Sequence, residues 1–455
     1  MLVGDAQRPS ASGVHRPPSA QLSRCHRALS VLDSQRTPCG PDVNLAFVRM
    51  GSNGVTNDIN LLVKGLHYTL MHARLMQRKF QMVVLPPYAS EQAQLGMNLS
   101  IWRPWHWAHQ FELGQVFNVS ACHEHIVREN ASWLQRVAGE GVTEELKRVQ
   151  RRSLLIIHPS WNSEPQMPSW LGPGAKRWWW SALTIHLLRV RKDLERRVLT
   201  HPAIETLAQS YGPDHPVSQF LRSGRLLRFE PCHPEPVLFD VGMHVRQGDA
   251  CGTLAVSQPS RRCVKSLAQA LGMVAAANLS FDHGASRAKK RVEPQIRTFL
   301  ASDSDTIIEQ AAIGGSFTRH ASVFTIGAFA FNRTKYDGAA FIEFEQANAR
   351  RGDRSEVLVE TLLDLALLAR SDCIAGSMMG NLPRVALQLR LRADQDECYV
   401  SLDERTWCTY TKCGLCTSAK CVEQSEWRGR HVNVVRHGEP RESSGALFVK
   451  RTLNS

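Results

Sequence analysis

Six consecutive residues, His244-Val245-Arg246-Gln247-Gly248-Asp249, end an apolar run and carry the sharpest chemical signal in the chain. A guanidinium at the carboxyl end of a strand, followed by a glycine turn, suits a phosphate. Arg offers a fixed fork of donors, keeps its charge, and needs no metal to neutralise an oxyanion. Asp249 can orient that guanidinium or act on a substrate hydroxyl; the plainer reading is a surface Arg–Asp pair that closes a strand. Two further segments repeat the pattern. Ala301-Ser302-Asp303-Ser304-Asp305 brings carboxylates to a second strand end. An Asp-x-Asp can hold Mg²⁺ or Mn²⁺ against a nucleotide diphosphate, but its commoner role here is to cap the next helix and bond a ribose or base. We favour the cap. Ser371 to Arg384 reads as a strand, a small-residue turn through Gly376, Ser377 and Gly380, and a helix opening at Asn381. Small residues let a backbone approach a ligand, and the N–H groups of a helix start attract phosphate.

These segments need a scaffold, and the apolar pattern supplies one. Residues 1–42, rich in Pro, Ser, Gln and Arg, read as a disordered lead. Leu45–Met50 predicts a buried strand, Gly51-Ser52-Asn53-Gly54 a turn, and the spacing of Ile59, Leu62, Val63, Leu66, Leu70 and Ala73 a helix capped by Asn57 or Asp58. Met82–Leu85 is the next strand, which completes a βαβ unit. Residues 100–135 and 159–181 are loop-like and rich in Trp, including Trp178, Trp179 and Trp180. Packing is the plain reading of those indoles; platforms for sugar rings are the sharper one. Leu154–Ile157 is a strand, and residues 177–198 read as one long helix with a solvated, Arg-dense face. A second alternating run comes next, with strands near 237–245, 296–301, 323–326 and 373–375. Its helices fall near 261–278, 304–313, 355–370 and 381–391, the third apolar nearly all round and so deeply buried. The fold class is α/β, with two halves in sequence and a cleft where their strand ends meet. The boundaries are 43–230, 231–395 and a Cys-rich C-terminal appendix from 396 to 455.

A chain of 455 residues is long enough for two or three domains. Lys and Arg number 55 against 42 Asp and Glu, a net +13 that favours an anionic partner. The cations are spread instead of forming a stripe, and no nucleic-acid module is recognisable, so nucleic acid is not the expected partner. No apolar run reaches about 18 residues, so no membrane anchor is visible. Twelve cysteines and five Asn-x-Ser/Thr sequons, at Asn98, Asn118, Asn130, Asn278 and Asn332, point to the secretory pathway, Golgi or endoplasmic reticulum. The first 40 residues hold no signal-peptide core, so the true N-terminus lies upstream or the cytosolic reading holds. The C-terminal cysteines Cys398, Cys408, Cys413, Cys416 and Cys421 include one CxxC, a poor zinc signature that we read as disulfide stapling of the appendix. Cys251 and Cys263 could form another bridge.

In order and spacing, the three strand-end segments resemble the donor half of the α1,6-fucosyltransferase-like enzymes, a superfamily that includes the protein O-fucosyltransferases. The matching residues are His244, Val245, Arg246 and Asp249; Ala301, Ser302 and Asp303; then Leu363-Asp364-Leu365, Ser377 and Arg384. The unit from Met50 to Pro86 is similar to the family's opening Gly-Asn turn, with Gly51 and Asn53. The resemblance implies two Rossmann-like domains of GT-B type. It also implies an inverting transfer of fucose from GDP-fucose to a glycan or glycoprotein, with no divalent metal and no cofactor. Arg246 would stabilise the leaving β-phosphate. Asp303 and Asp364 would hold guanosine and ribose, with Ser377 and the helix start at 380–384 on the diphosphate. His244, Gly248, Gly51 and Asn53 complete the substrate-binding set. Gln247 and Ala250 stand where many relatives carry basic residues, and Met379-Gly380 replaces the usual Ser-Ser. Those departures motivate a second reading, a catalytically silent relative that binds glycans or chaperones secretory cargo. Asp249, Glu343 and Glu345 are the candidates for a general base.

Overall fold

The computed structural model describes residues 31–40, 42–49, 55–85, 118–123, 125, 154–157, 176–229, 236–247, 264, 266–276, 296–313, 321–326, 351–378, 380–390, 398–403 and 430–432. β1 (Asn44–Arg49), α1 (Val55–Leu75) and β2 (Phe80–Leu85) form the expected βαβ unit. β3 (Leu154–Ile157) pairs with β1 on its other side, giving the parallel order β2-β1-β3. α1 packs so closely on β1 that position 65 must be glycine, since a Cβ there would collide with both methyls of Val48. The helix starts at Val55, so Asn57 and Asp58 lie buried inside its first turn and do not cap it. Order also begins earlier than the composition suggests. Gln35 is buried and takes the place of a neighbouring strand on β2, donating to the Phe80 carbonyl at 2.8 Å and accepting from the Met82 N–H at 3.0 Å. One amide side chain thereby satisfies a sheet edge.

Four helices come next among the described residues: α2 (Lys176–Leu187), α3 (Lys192–Leu199), α4 (Pro202–Tyr211) and α5 (Pro216–Arg222). The single solvated helix expected over 177–198 is corrected to two, and the first of them is core. Trp179 through Leu188 are buried without interruption, whereas α3 buries only Leu194, Glu195 and Val198. A helix buried on every side cannot run straight on into one with a charged face, and the chain turns at 189–191. Trp179 and Trp180 are therefore helical and inside, with the Trp179 indole donating to His67 Nδ1 at 2.8 Å. They offer no face to a sugar. α4 and α5 each begin His-Pro, with the imidazole Nδ1 of His201 or His215 accepting from the N–H two residues on. Proline suits the first helical position, where its missing N–H would have no partner in any case.

The second sheet is built from β4 (Phe239–Val245), α6 (Leu267–Ala276), β5 (Ile296–Ser302), α7 (Asp305–Ile313), β6 (Ala321–Thr325), α8 (Arg351–Ala369), β7 (Ser371–Gly376), α9 (Asn381–Leu389), β8 (Cys398–Ser401) and β9 (Arg430–Val432). Its order is β6-β5-β4-β7-β8-β9, parallel throughout. This is the doubly wound dinucleotide-fold order, with the reversal between β4 and β7. Alternate residues of the central strands go to opposite faces. Phe299, Ala301 and Ile374 join α8 and α9, while Val241, Met243, Val245, Leu300, Cys373 and Ala375 join α6 and α7. α8 is buried from Leu358 onward apart from the half-buried Thr361, as its nearly all-round apolar pattern requires. Its last turn leads to Arg370, buried between Phe220 and Phe229 and donating to the carbonyls of Arg225, Leu226 and Arg228.

Two of the six strands come from beyond residue 395, so the Cys-rich segment adds to the sheet. Cys398 is bonded to Cys373, its register partner on β7 with Cα atoms 4.6 Å apart, and not to another cysteine of the C-terminal cluster. That pairing also removes Cys398 from any zinc set. Cys39 is bonded to Cys122. Cys251, Cys263, Cys408, Cys413, Cys416 and Cys421 lie outside the described residues. The fit at Gly65 gives a direct test. Gly65→Ala should lower stability by about 1–3 kcal/mol through overpacking against Val48, read as a fall in the urea midpoint, and an unchanged midpoint would show that the helix can move.

Candidate active site

Parallel register brings the three polar segments to one edge. Val245 pairs with Ser302, and His244 lies between Ala301 on one side and Gly376 on the other. The residues just past each strand end are therefore neighbours: Arg246-Gln247, then Asp303-Ser304, then Ser377-Met378. The edge is the carboxyl end of the sheet at its point of reversal, where open α/β sheets leave a crevice.

Gln247 organises the first two segments. Its N–H donates to Asp303 Oδ1 at 2.8 Å, its Nε2 donates to the Val264 carbonyl at 2.9 Å, and its Oε1 accepts from Ser304 Oγ at 2.6 Å. Ser302 Oγ donates to the Val245 carbonyl at 2.8 Å and accepts from the Ser304 N–H at 3.2 Å. A basic side chain at 247 could not do this, because it has no acceptor for Ser304. The departure from a basic residue at 247 thus has a structural counterpart that sequence reading missed. Asp303 Oδ2 lies 4.0 Å from Arg246 Nε, with the arginine side chain 30% exposed. Asp303, expected on the nucleoside, braces the arginine loop here, while Asp305 opens α7. The acidic pair is split between two tasks.

The third segment is held from below. Gly376 allows β7 to pass Pro383, since a Cβ there would come within 2.9 Å of the proline ring. Ser377 Oγ donates to Asp403 Oδ2 at 2.5 Å, and the Met378 N–H donates to Asp403 Oδ1 at 3.0 Å. Asp403 escapes sequence reading, because it sits in a cysteine-bearing segment whose composition suggests an appendix. Gly380 takes the N-cap position of α9, and its N–H donates to the Ser377 carbonyl at 2.9 Å. Arg384, buried, donates from Nε to the Gly380 carbonyl at 3.2 Å and from its terminal fork to Asn381 Oδ1.

Asn381 turns its carboxamide toward the first sheet. Its Nδ2 donates to Asn57 Oδ1 at 3.1 Å, and its Oδ1 accepts from Asn60 Nδ2 at 3.1 Å. Gln388 continues the seam, donating to Asn60 Oδ1 at 3.2 Å and accepting from Thr184 Oγ1 at 2.8 Å. Asn57, Asn60 and Lys64 are spaced to share one face of α1, as are Asn381, Arg384 and Gln388 on α9. The Asn381 side chain, expected on a substrate, is thus spent on joining the two parts of the molecule. Asp364 is buried on α8, five residues before its end, and is carried by that helix and not by the strand-end loops. Gly51, Asn53, Gly248 and Asp249 lie outside the described residues. So do Glu343 and Glu345. Of the five sequons, Asn118 is described. Its Nδ2 lies 3.3 Å from His186 Nε2, and Ser120 is buried on the Met82 carbonyl. The nitrogen that a glycan would occupy is already in use.

No protein-family model and no curated protein matches the chain. Among solved structures, the NodZ α-1,6-fucosyltransferase co-crystallised with GDP is similar at 15% identity and a TM-score of 0.35, over 75% of this chain and 91% of that one. The same enzyme soaked with GDP-fucose gives 15% and 0.33, over 76% and 92%. Fucosyltransferase NodZ from Bradyrhizobium gives 14% and 0.35, over 75% and 91%.

Two cations meet in the seam beneath the α9 start. Burial, with the Arg384 charge adding to it, lowers the Lys64 ammonium to about 8. Burial also lowers Arg384 to about 10, against the opposing pull of Asp403. The unfolded chain keeps the lysine proton to about pH 10.5, so between about 8 and 10.5 the unfolded state binds the extra proton and stability rises with pH. Lys64→Met should therefore be more stable than wild type at pH 7, by roughly 1–3 kcal/mol. Chemical denaturation from pH 7 to 10 should show that gap closing; a gap constant with pH would mean that Lys64 is not desolvated.

Proposed function

We propose that the protein is an inverting fucosyltransferase that takes fucose from GDP-fucose and passes it to a hydroxyl of a glycan or glycoprotein. The observation that carries this reading is Arg246, a braced and partly exposed guanidinium at the carboxyl end of β4, where the strand order reverses. A donor diphosphate over this edge meets Arg246 from one side and the start of α9 from the other, where the first N–H groups have no partner within the helix. The motif order of the resemblance supports guanosine as the base, with Asp364 on the nucleoside. The acceptor lies toward the first sheet, across a cleft of GT-B type.

In the reaction the acceptor oxygen attacks the anomeric carbon from the face opposite the diphosphate. The bond from that carbon to the β-phosphate oxygen breaks, GDP leaves, and the acceptor proton passes to a carboxylate or water. Arg246 acts on the charge that develops on the departing oxygen, and this placement raises the rate because the charge is greater in the transition state than in the ground state. No step in this scheme calls for a metal. The disulfides Cys39–Cys122 and Cys373–Cys398 support a secretory compartment.

Purified protein with GDP-fucose and a panel of glycan acceptors should release GDP. Arg246→Ala should abolish that release while its unfolding temperature stays within a degree or two of wild type. A mutant that kept more than about a tenth of the rate, roughly 1.4 kcal/mol of barrier, would remove Arg246 from the mechanism. Because Gln247 stands where a second cation would assist the leaving group, donor binding without turnover is the outcome that would favour the silent reading.

A further inference from the structure

We infer that Asp403 is a positioning residue: it clamps the 376–381 turn and commits the Ser377 hydroxyl proton, so that Ser377 meets the donor as a hydrogen-bond acceptor. The inference rests on the fucosyl-donor reading for its ligand but not for its geometry. β8 is tied to β7 by the Cys373–Cys398 bond, and three residues on Gly376 is in register with Ser401. The Leu402 N–H then donates to the Gly376 carbonyl at 3.0 Å, so the ladder runs to the last residue of β7. There the chain delivers Asp403, 2% exposed, beneath the turn. Its carboxylate accepts from Ser377 Oγ at 2.5 Å, from the Met378 N–H at 3.0 Å and from Ser401 Oγ at 2.9 Å. Arg384 supplies a neighbouring positive charge. A buried carboxylate with three donors and a cation is well satisfied, and each donor it takes is fixed in direction.

The consequence for the ligand comes from proton counting. An ionised carboxylate only accepts, and a serine hydroxyl has one proton to give. Ser377 gives it to Asp403. Its remaining lone pairs suit a hydroxyl or N–H of the nucleotide sugar and repel a phosphate oxygen. The Met378 and Gly380 N–H groups are also committed, to Asp403 and to the Ser377 carbonyl. Phosphate recognition at this turn is left to the first amides of α9, at Asn381 and Leu382, because Pro383 has no N–H.

The test combines hydrogen exchange over 376–381 with titration of GDP-fucose, GDP and inorganic pyrophosphate. In Asp403→Asn, exchange should speed at least tenfold and affinity for all three ligands should fall about tenfold. Ser401→Ala, which removes one bond remote from the ligand and is the safer fold, should show the same changes at about threefold. Ser377→Ala, which also removes a clamp bond, should weaken pyrophosphate about threefold, as Ser401→Ala does, and GDP-fucose several-fold more than that. Exchange within twofold of wild type in both Asp403→Asn and Ser401→Ala would overturn the clamp. Equal loss of pyrophosphate and GDP-fucose in Ser377→Ala would overturn the acceptor role. If wild type binds none of the three, the fucosyl reading falls and takes the acceptor role with it, while exchange alone still decides the clamp.

Discussion

The strand order of the second sheet is the constraint on which the site depends. β4 and β7 are neighbours, yet the chain leaves β4 toward β5 and reaches β7 only after β6 and α8. Their outgoing segments therefore part at the carboxyl edge. Arg246 and Ser377 stand on opposite lips of that gap. Each is fixed by a carboxylate from a neighbouring strand end: Asp303 after β5 holds the loop of the first, Asp403 after β8 the second. The two acids differ in exposure, with the Asp303 side chain at 16% and Asp403 at 2%. The more exposed one leaves its arginine able to answer a ligand, and the buried one holds its turn still. Groups held in this way need not reorient when charge develops beside them.

The contact between the two parts of the molecule is polar where a hydrophobic one would have sufficed. α9 carries Asn381, Arg384 and Gln388 toward α1, and α1 answers with Asn57, Asn60 and Lys64. Amide pairs need a matched donor and acceptor, so such a seam specifies one register and penalises any slide. Around it the packing is apolar and continuous, with Trp179, Trp180 and Leu183 of α2 in the same cluster as Val385 and Leu389 of α9. The start of α9 is thus both a lip of the site and the joint between the sheets. A movement of one part against the other would be felt at Gly380 and Asn381.

Much of the framework is legible in the residue pattern. The β1-α1-β2 unit, β3, the first four strands of the second sheet in chain order and buried α8 can be read from apolar periodicity, because a strand covered on both faces and a helix covered all round leave strong signals. The strand-end motif at His244 to Gln247 lies where the pattern puts it. Elements escape such a reading where the signal is small or the composition misleads. α4 and α5 open on His-Pro, which reads as a turn until the imidazole is seen to cap. α2 resembles surface because its arginine-rich continuation outweighs Trp179 and Trp180 in the pattern. β8 and β9 are hidden inside a cysteine-rich stretch whose composition argues for an appendix.

The information carried by the sequence alone is local: which segments form strands and helices, and that Arg246, Asp303 and Ser377 each lie just past a strand. Backbone periodicity and turn chemistry act over a few residues, so they can be read in order along the chain. Which strands lie side by side was decided only in three dimensions. Cys398 finds Cys373, Asp403 finds Ser377, and Asn381 finds Asn57 across 324 residues, because register and core packing select partners that no local spacing records. The same rule accounts for Gln247, whose meaning changes from a lost charge to a three-way brace once its neighbours are known.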